Sequence, residues 1–591
     1  MNQRDPVQCS NLRRRHGQAL RTARLRLAVL GGVIGIACLT LSVRLVHLMV
    51  VAGPPGAHAA QEEPVDGRRR ADIIDRHGHL LATSVPTYSI VANPQRVPNP
   101  ARHAERLARA LGHDSAAVFY KRLSGGGEFA YIKRQITPAE MRAVNALGIP
   151  GVNFRRAYRR IYPQGAAAAH VVGTVNRDGG GTAGIERAFD DSLSEAPDSA
   201  LRLSLDMRLQ QIVIEELQAG IKRFQAKGGG AVVLDLASGE VLASVSLPSF
   251  EPNVPGDAQS PARFNRVTKG VYELGSVFKL ITAAAALESG AAQPFDAFDA
   301  RHPIRIGRHI IRDFRPEKRW LSIPEIMVHS SNIGTAYMAL AAGAETHRRF
   351  LMELGLTTAL DIELPERQRP DLPQHWGKVH QATIGYGHGI AVSPLHMAAA
   401  IGSLLREQGR LHPSFVIRGD SHRRGGGMAA EPILSPKNRD MLRRMMRAVV
   451  AHSPVDGANP EGWLLGGKTG TAQKVDREKG GYGKGRIAAF AGAFPMTDPR
   501  YVLFAMIDAP VGQKESFGYA TGGWVAAPVV GRIVARMGPL YGMAPLDAAD
   551  PELAARLALP MEPRGYMVPV PDEPGQFVRT RDEGRAIRAA Y

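Results

Sequence analysis

The 591-residue sequence predicts an α+β protein held behind a single N-terminal transmembrane helix. Three observations predict it. An apolar run occupies residues 27–52, strand–turn–strand segments lie at 70–94 and 231–246, and helical periodicity separates them. The chain is too long for one core and implies several domains. Its formal charge is +19, with Arg outnumbering Lys. Such a chain can serve nucleic acid, a membrane surface or an anionic substrate. No zinc-finger spacing, RNP-type aromatic string or helix-turn-helix pattern accompanies the charge. It therefore reads as an Arg-rich solvated surface with no nucleic-acid partner. The two cysteines, Cys9 and Cys38, precede or lie within the apolar run, so the remainder has no disulfide framework.

Leu27 to Val43 carries no charge, and the apolar stretch resumes after Arg44. With Arg44 snorkelling, residues 27–52 can cross a bilayer of ~30 Å. Residues 1–26 hold many arginines against one acid, Asp5. The positive-inside rule places them in the cytoplasm and everything after residue 53 outside. Ala57-His58-Ala59 resembles a signal-peptidase site, but the run exceeds the usual ~7–15-residue signal core, which favours an uncleaved anchor.

Residues 54–69 read as a linker. Ile73-Ile74 and Leu80-Leu81 then flank the turn Asp75-Arg76-His77-Gly78, a hairpin. His170 and Glu186 invite a metal reading. No ligand cluster surrounds them, so a structural hydrogen-bonded pair or a solvated surface is expected, and no metal. Residues 207–223 repeat apolar positions near 3.6 and predict an amphipathic helix. Gly228-Gly229-Gly230 reads as a boundary. A second hairpin follows, AVVLDL and VLASVS around Ala237–Glu240, and opens the larger domain. Residues 546–591, rich in Pro and charge, read as a surface decoration.

Three short strings carry the chemistry. Ser276 sits at the start of a helical run ending near Ser289-Gly290, with Lys279 three residues on and on the same face. Alone, Ser276 would be a helix cap. Beside a lysine it can be a nucleophile, provided the amine is neutral. Burial and a second cation would lower the Lys279 pKa, and Lys468 is the candidate for that cation. Ser330-Ser331-Asn332 joins two helices, the first opened by a capping box at Ser322–Glu325. Lys468-Thr469-Gly470-Thr471 reads as a strand, in which Gly470 leaves room for an approaching backbone such as a peptide substrate. His388, in Gly385–Gly389, is a tempting base; a structural role is expected because the serine already has a lysine partner.

In this order the strings match S-x-x-K, S-x-N and K-T-G, and the chain resembles the class B penicillin-binding proteins. Arg70–Gly78 is similar to their R-G-x-I-x-D-R-N-G string, with Ala71 for Gly and His77 for Asn. The resemblance implies a cytoplasmic segment (1–26), an anchor (27–52), an elongated β-rich pedestal or dimerisation domain (60–227), a serine β-lactamase-like transpeptidase domain with an antiparallel sheet packed by helices (228–545), and an extension (546–591). It implies no cofactor. It makes Ser276 the nucleophile, Lys279 and Lys468 its partners, Ser330 a proton relay and Asn332 a holder of the substrate amide. Backbone N–H groups of Ser276 and Thr471 would form the oxyanion hole. Thr469 and Thr471, flanking Gly470, would bind the substrate carboxylate. The substrates are peptidoglycan stem peptides ending in D-Ala-D-Ala, and β-lactams acylate the same serine. A polytopic glycan polymerase of the inner membrane and divisome proteins are the expected partners, because no glycosyltransferase-like stretch is present. Tyr272-Glu273-Leu274-Gly275 and Gly184–Asp190 look more like the cell-division member, similar to those of alphaproteobacteria. The rival roles are an elongation-type enzyme, a D,D-carboxypeptidase or β-lactamase, and a penicillin sensor. The pedestal opposes hydrolysis, and the short basic segment leaves no room for a sensor's effector.

Overall fold

The computed structural model describes residues 6–47, 65–113, 115–254, 256, 259–417, 431–452, 457–475, 480–570 and 575–589. The 48–52 end of the expected anchor, most of the linker and the Ala57-His58-Ala59 string lie outside the described residues. α1 (Pro6–Val46) is continuous, and its 23-residue Arg24–Val46 part contains an 18-residue stretch of mean hydropathy 2.1. Leu27, Ile36 and Leu39 on it are exposed, as suits a helix solvated by lipid.

The chain forms two compact units: Met1–Asp66 with Thr87–Ala157, and Gly67–Pro86 with Tyr158–Tyr591. The stretch expected as one pedestal, 60–227, is thus divided between them. β1 (Ile73–Ile74) and β2 (Leu80–Ala92) form the expected hairpin, with Gly78 at φ +91° in its turn. In the first unit, α2 (Pro100–Ala110) and α3 (Ala117–Leu123) bury Leu107, Phe119 and Leu123 with Ile132 and Ile136 of β3 (Ala130–Ile136).

The second unit is built on α4 (Met207–Arg223), β4 (Gly228–Asp235) and β5 (Val241–Leu247). There follow α5 (Lys279–Glu288), β6 (Asp296–Asp299), β7 (Trp320–Ser322), α6 (Ile323–His329) and α7 (Asn332–Ala342). Next come β8 (Gly466–Val475), β9 (Tyr482–Phe494), β10 (Tyr501–Asp508) and α8 (Gly522–Leu540), then β11 (Gly565–Pro569) and β12 (Phe577–Thr580). The main sheet has the order β8-β9-β10-β4-β5, antiparallel throughout. Side chains alternate across it. Leu503, Ala505 and Ile507 join Leu209, Val213 and Leu217 of α4 and Val529 and Ile533 of α8 on one face. Phe504 and Met506 join Phe278, Leu280 and Ile281 on the other.

Three expectations change. α4, assigned by sequence to the pedestal, packs into the core of the main sheet. Gly228–Gly230, read as a boundary, are buried residues of β4: a Cβ on Gly228 would lie 2.4 Å from the Leu247 carbonyl oxygen. The C-terminal segment is no surface decoration. β11 runs parallel to β6 inside the sheet β7-β6-β11-β12, and Val568 and Ala586 share a core with Trp320. His170 and Glu186 are neither a pair nor solvated. Glu186 accepts from Arg70 at 2.8 Å and Arg160 at 2.6 Å, fully buried, while His170 bonds the Ala262 carbonyl at 2.8 Å. Burial there holds the imidazole neutral, its pKa lowered to about 4.

Candidate active site

Four segments meet at Ser276. The serine lies in a single 3₁₀ turn, Gly275–Phe278, that runs directly into α5. Gly275 has φ +56°, a conformation costly for any residue with a Cβ. A Cβ there would also stand 2.7 Å from the Thr471 carbonyl oxygen, so the Ser276 turn rests on the backbone of β8. Gly387 packs behind it, where a Cβ would meet the Gly275 carbonyl at 2.2 Å. This is the physical use of the Gly385–Gly389 string.

Gly470 serves the same joint. Its missing Cβ would lie 2.1 Å from the Leu274 carbonyl oxygen, so the space it leaves is filled by the chain's own segment before Ser276 and is not open to a substrate. The substrate-approach reading of Gly470 is corrected accordingly. Strand alternation turns Thr469 and Thr471 the other way, into a cleft of about 460 Å³ lined also by Ser276, Ser330, Asn332 and Lys468. β8 is an edge strand, and Gly522 N–H donates to Thr471 Oγ1 at 2.9 Å.

The S-x-N junction is shaped by two helix ends. Ser322 and Glu325 form the expected capping box of α6. Ser330 closes that helix in the left-handed region at φ 58°, which turns both its carbonyl and its hydroxyl toward the lysines. Ser331 caps α7. Asp313, which no sequence pattern singled out, clamps the junction. Its carboxylate accepts from Ser331 Oγ at 2.7 Å, Asn332 N–H at 2.5 Å and Ile333 N–H at 2.9 Å. An anion at that helix start is also favoured by the helix dipole.

Lys279 and Lys468 are buried to 0% and 1% exposure. Lys279 Nζ donates to the Ser330 carbonyl at 2.5 Å, to Asn332 Oδ1 at 2.8 Å and to Ser330 Oγ at 3.2 Å. Lys468 Nζ donates to the same Oγ at 3.0 Å. Burial and then the charge of Lys468 push the Lys279 pKa well below that of an ordinary lysine. Burial lowers Lys468 to about 7. Among the described residues Ser276 Oγ has no hydrogen-bond partner. Ser276 and Lys279 make no direct hydrogen bond; Lys279 Nζ faces the S-x-N junction. His388 is in the cleft wall, its ring 5.2 Å from Tyr386 and 6.1 Å from Tyr482. Phe314, Tyr519 and Trp524 also line it. No group of His, Cys, Asp and Glu able to hold a metal occurs among the described residues.

A serine between glycine-locked backbones, two buried lysines sharing one hydroxyl and an edge strand with paired threonines define a serine acyl-transfer site. The family model for the penicillin-binding protein transpeptidase domain matches residues 229–535, and that for the penicillin-binding protein dimerisation domain matches 67–197. The chain belongs to the class B penicillin-binding proteins. It is 36% identical over 505 residues to the probable peptidoglycan D,D-transpeptidase FtsI of Caulobacter vibrioides, covering 83% of this chain and 84% of that protein. It is 31% identical to the peptidoglycan D,D-transpeptidase FtsI of Escherichia coli K12, covering 79% and 82%. The fold is that of a crystallised penicillin-binding protein 3 from Mycobacterium tuberculosis in complex with aztreonam, with TM-score 0.62 and 22% identity over 81% of this chain and 98% of that one.

Proposed function

We propose that this protein is a peptidoglycan D,D-transpeptidase that forms its cross-links through a serine acyl-enzyme, and that it serves the division septum. The carrying observation is the convergence of Ser276, Lys279, Ser330, Asn332, Lys468, Thr469 and Thr471 on one cleft. The donor's terminal carboxylate binds the hydroxyls of Thr469 and Thr471, beside Lys468. Ser276 Oγ attacks the carbonyl between the two D-Ala residues, and its proton passes to the neutral amine of Lys279. Backbone N–H groups of Ser276 and Thr471 stabilise the oxyanion; one such donor is worth about 2.7–4 kcal/mol. The C–N bond then breaks, and Ser330 relays a proton from the lysines to the departing D-Ala amine. An amine of a second stem peptide attacks the ester, gives up a proton by the reverse route and frees Ser276. A β-lactam acylates the same oxygen.

Membership of the family and the apolar helix α1 support a single-pass membrane protein acting on peptidoglycan and binding β-lactams. The arginines before residue 27 support a cytoplasmic N-terminus and a periplasmic bulk. The septal duty rests on similarity to the two FtsI proteins, and a polytopic glycan polymerase and divisome proteins are the partners that duty requires. Product analysis tests the reaction. A D-Ala-D-Ala donor supplied with an amine acceptor gives a transferred peptide; hydrolysis alone with and without the amine would reduce the activity to that of a carboxypeptidase. Depletion tests the duty: filaments mean division, rounded cells mean elongation.

A further inference from the structure

A cavity of about 440 Å³ shares no lining residue with the catalytic cleft. Its size lies within the ~300–1,000 Å³ usual for small-ligand sites. One wall is the helix Ala344–Glu353, which presents Glu345 and Arg348 one turn apart. The other is the segment 374–377, with Gln374, His375 and Trp376. Trp376 is half-buried and packs on the main hydrophobic core. Its ring meets that of His347 edge-to-face, 6.1 Å between centroids. His347 is fully buried, and burial lowers its pKa to about 4, so a neutral imidazole backs the indole. The platform is held from behind while it lines the cavity. The four polar side chains differ from it. All are exposed, and among the described residues none makes a hydrogen bond or ion pair, not even Glu345 with its neighbour Arg348.

These groups select a class of ligand. One carboxylate and one guanidinium balance, so the cavity favours neither an anion nor a cation. An indole takes an apolar face against its ring and leaves its N–H for a polar partner. Glu, Arg, Gln and His around it supply planar donors and acceptors that are still free. A pyranose whose substituents are all equatorial matches both demands. C–H bonds cover its faces, and hydroxyl and acetamido groups ring its edge. We propose that Trp376 is the stacking platform of a sugar site, and that the site takes the β-1,4-linked N-acetylated amino sugars of the glycan whose stem peptides this protein joins. Sugar binding follows from the cavity; assigning the sugar to peptidoglycan rests on the transpeptidase reading. The helix Lys378–Gly385 begins beside Trp376 and ends at the Gly385–Gly389 segment behind Ser276, about 12 Å for its eight residues. A strand on the platform is thus kept against the catalytic domain between successive acylations.

The test is calorimetric titration of the purified full-length protein, in a detergent without a sugar headgroup. The probe is chitotetraose, the β-1,4-linked tetramer of N-acetylglucosamine; maltotetraose is the comparison sugar. Chitotetraose should bind and maltotetraose should bind at least about tenfold more weakly. Trp376→Ala should weaken chitotetraose at least about tenfold, as loss of a central aromatic anchor does. Gln374→Ala with His375→Ala, both exposed and therefore safe for folding, should weaken it about threefold or more. No saturable binding by the natural protein, equal affinity for the two sugars, or affinity retained in both variants overturns the proposal. Fluorescent-penicillin labelling is read in parallel and should be unchanged in both variants. Labelling without sugar binding refutes the platform alone. A natural protein that binds chitotetraose but is not labelled refutes the nucleophile reading, and with it the assignment of the sugar to peptidoglycan.

Discussion

Lys279 and Lys468 bring two amines to one hydroxyl, Ser330 Oγ, in a site with almost no solvent. Two ammonium groups so placed repel, and burial disfavours both, so the site loses a proton well below the usual lysine range. The acylation rate should fall as pH drops and Lys279 takes up a proton. Removing the neighbouring cation with Lys468→Met should raise the Lys279 pKa. The acid limb of a penicillin-acylation profile then moves to higher pH, and the rate at pH 7 falls about 10²-fold or more. An unmoved acid limb would contradict the assigned coupling. Stability follows the opposite partner of the same linkage. The Lys468 pKa is about 7 folded and near 10.4 unfolded, so the unfolded chain binds more protons between those values and stability rises with pH across that window. The three strings singled out Ser276 and both lysines, and the structure brings them to one cleft. Asp313 was not singled out, since one acid in a loop has no pattern, and its role arises only where the chain folds it over the start of α7. Asp313→Ala should lower acylation and cost about 1–2 kcal/mol of stability, with Asp313→Asn intermediate because its amide oxygen still accepts. Equal acylation rates in all three proteins would remove Asp313 from the account.

At the scale of elements, the site is a joint between the Ser276 turn, β8 and the Gly385–Gly389 segment. Sequence disclosed each piece: the helical run after Ser276, the strand through Lys468–Thr471 and the capping box at Ser322–Glu325. It did not disclose which surfaces touch. Gly470 looked like a gap for substrate because a glycine in a strand only signals that some backbone comes near; here that backbone is Leu274. Gly470→Ala should push Leu274 and the nucleophile turn apart. The expected cost is about 1–3 kcal/mol with slower acylation, measured by thermal unfolding and stopped-flow labelling. Unchanged values would show that the joint has slack. The Gly228–Gly230 run marks the start of β4, where cross-strand packing leaves no room for a Cβ on Gly228.

On the whole-molecule scale, the membrane helix, the transpeptidase core and the reaction class were visible in one sequence, because long apolar runs and spaced motifs are local. Which distant segments share a core was not, because that depends on contacts the local pattern does not encode. α4 joins the main sheet, and β11, more than 250 residues from β6 in the chain, lies beside it. Deleting residues after 560 should expose Trp320 and the β6 edge and lower the Tm by at least about 4 °C; an unchanged Tm would return this segment to the status of decoration. The central claim is that Ser276 carries the acyl group while Lys279 and Lys468 serve it. Peptide mapping by mass spectrometry after penicillin treatment tests it most directly. The account predicts one penicilloyl adduct, on Ser276, and none on a folded Ser276→Ala protein. An adduct on another residue, or full acylation of that variant, would contradict it.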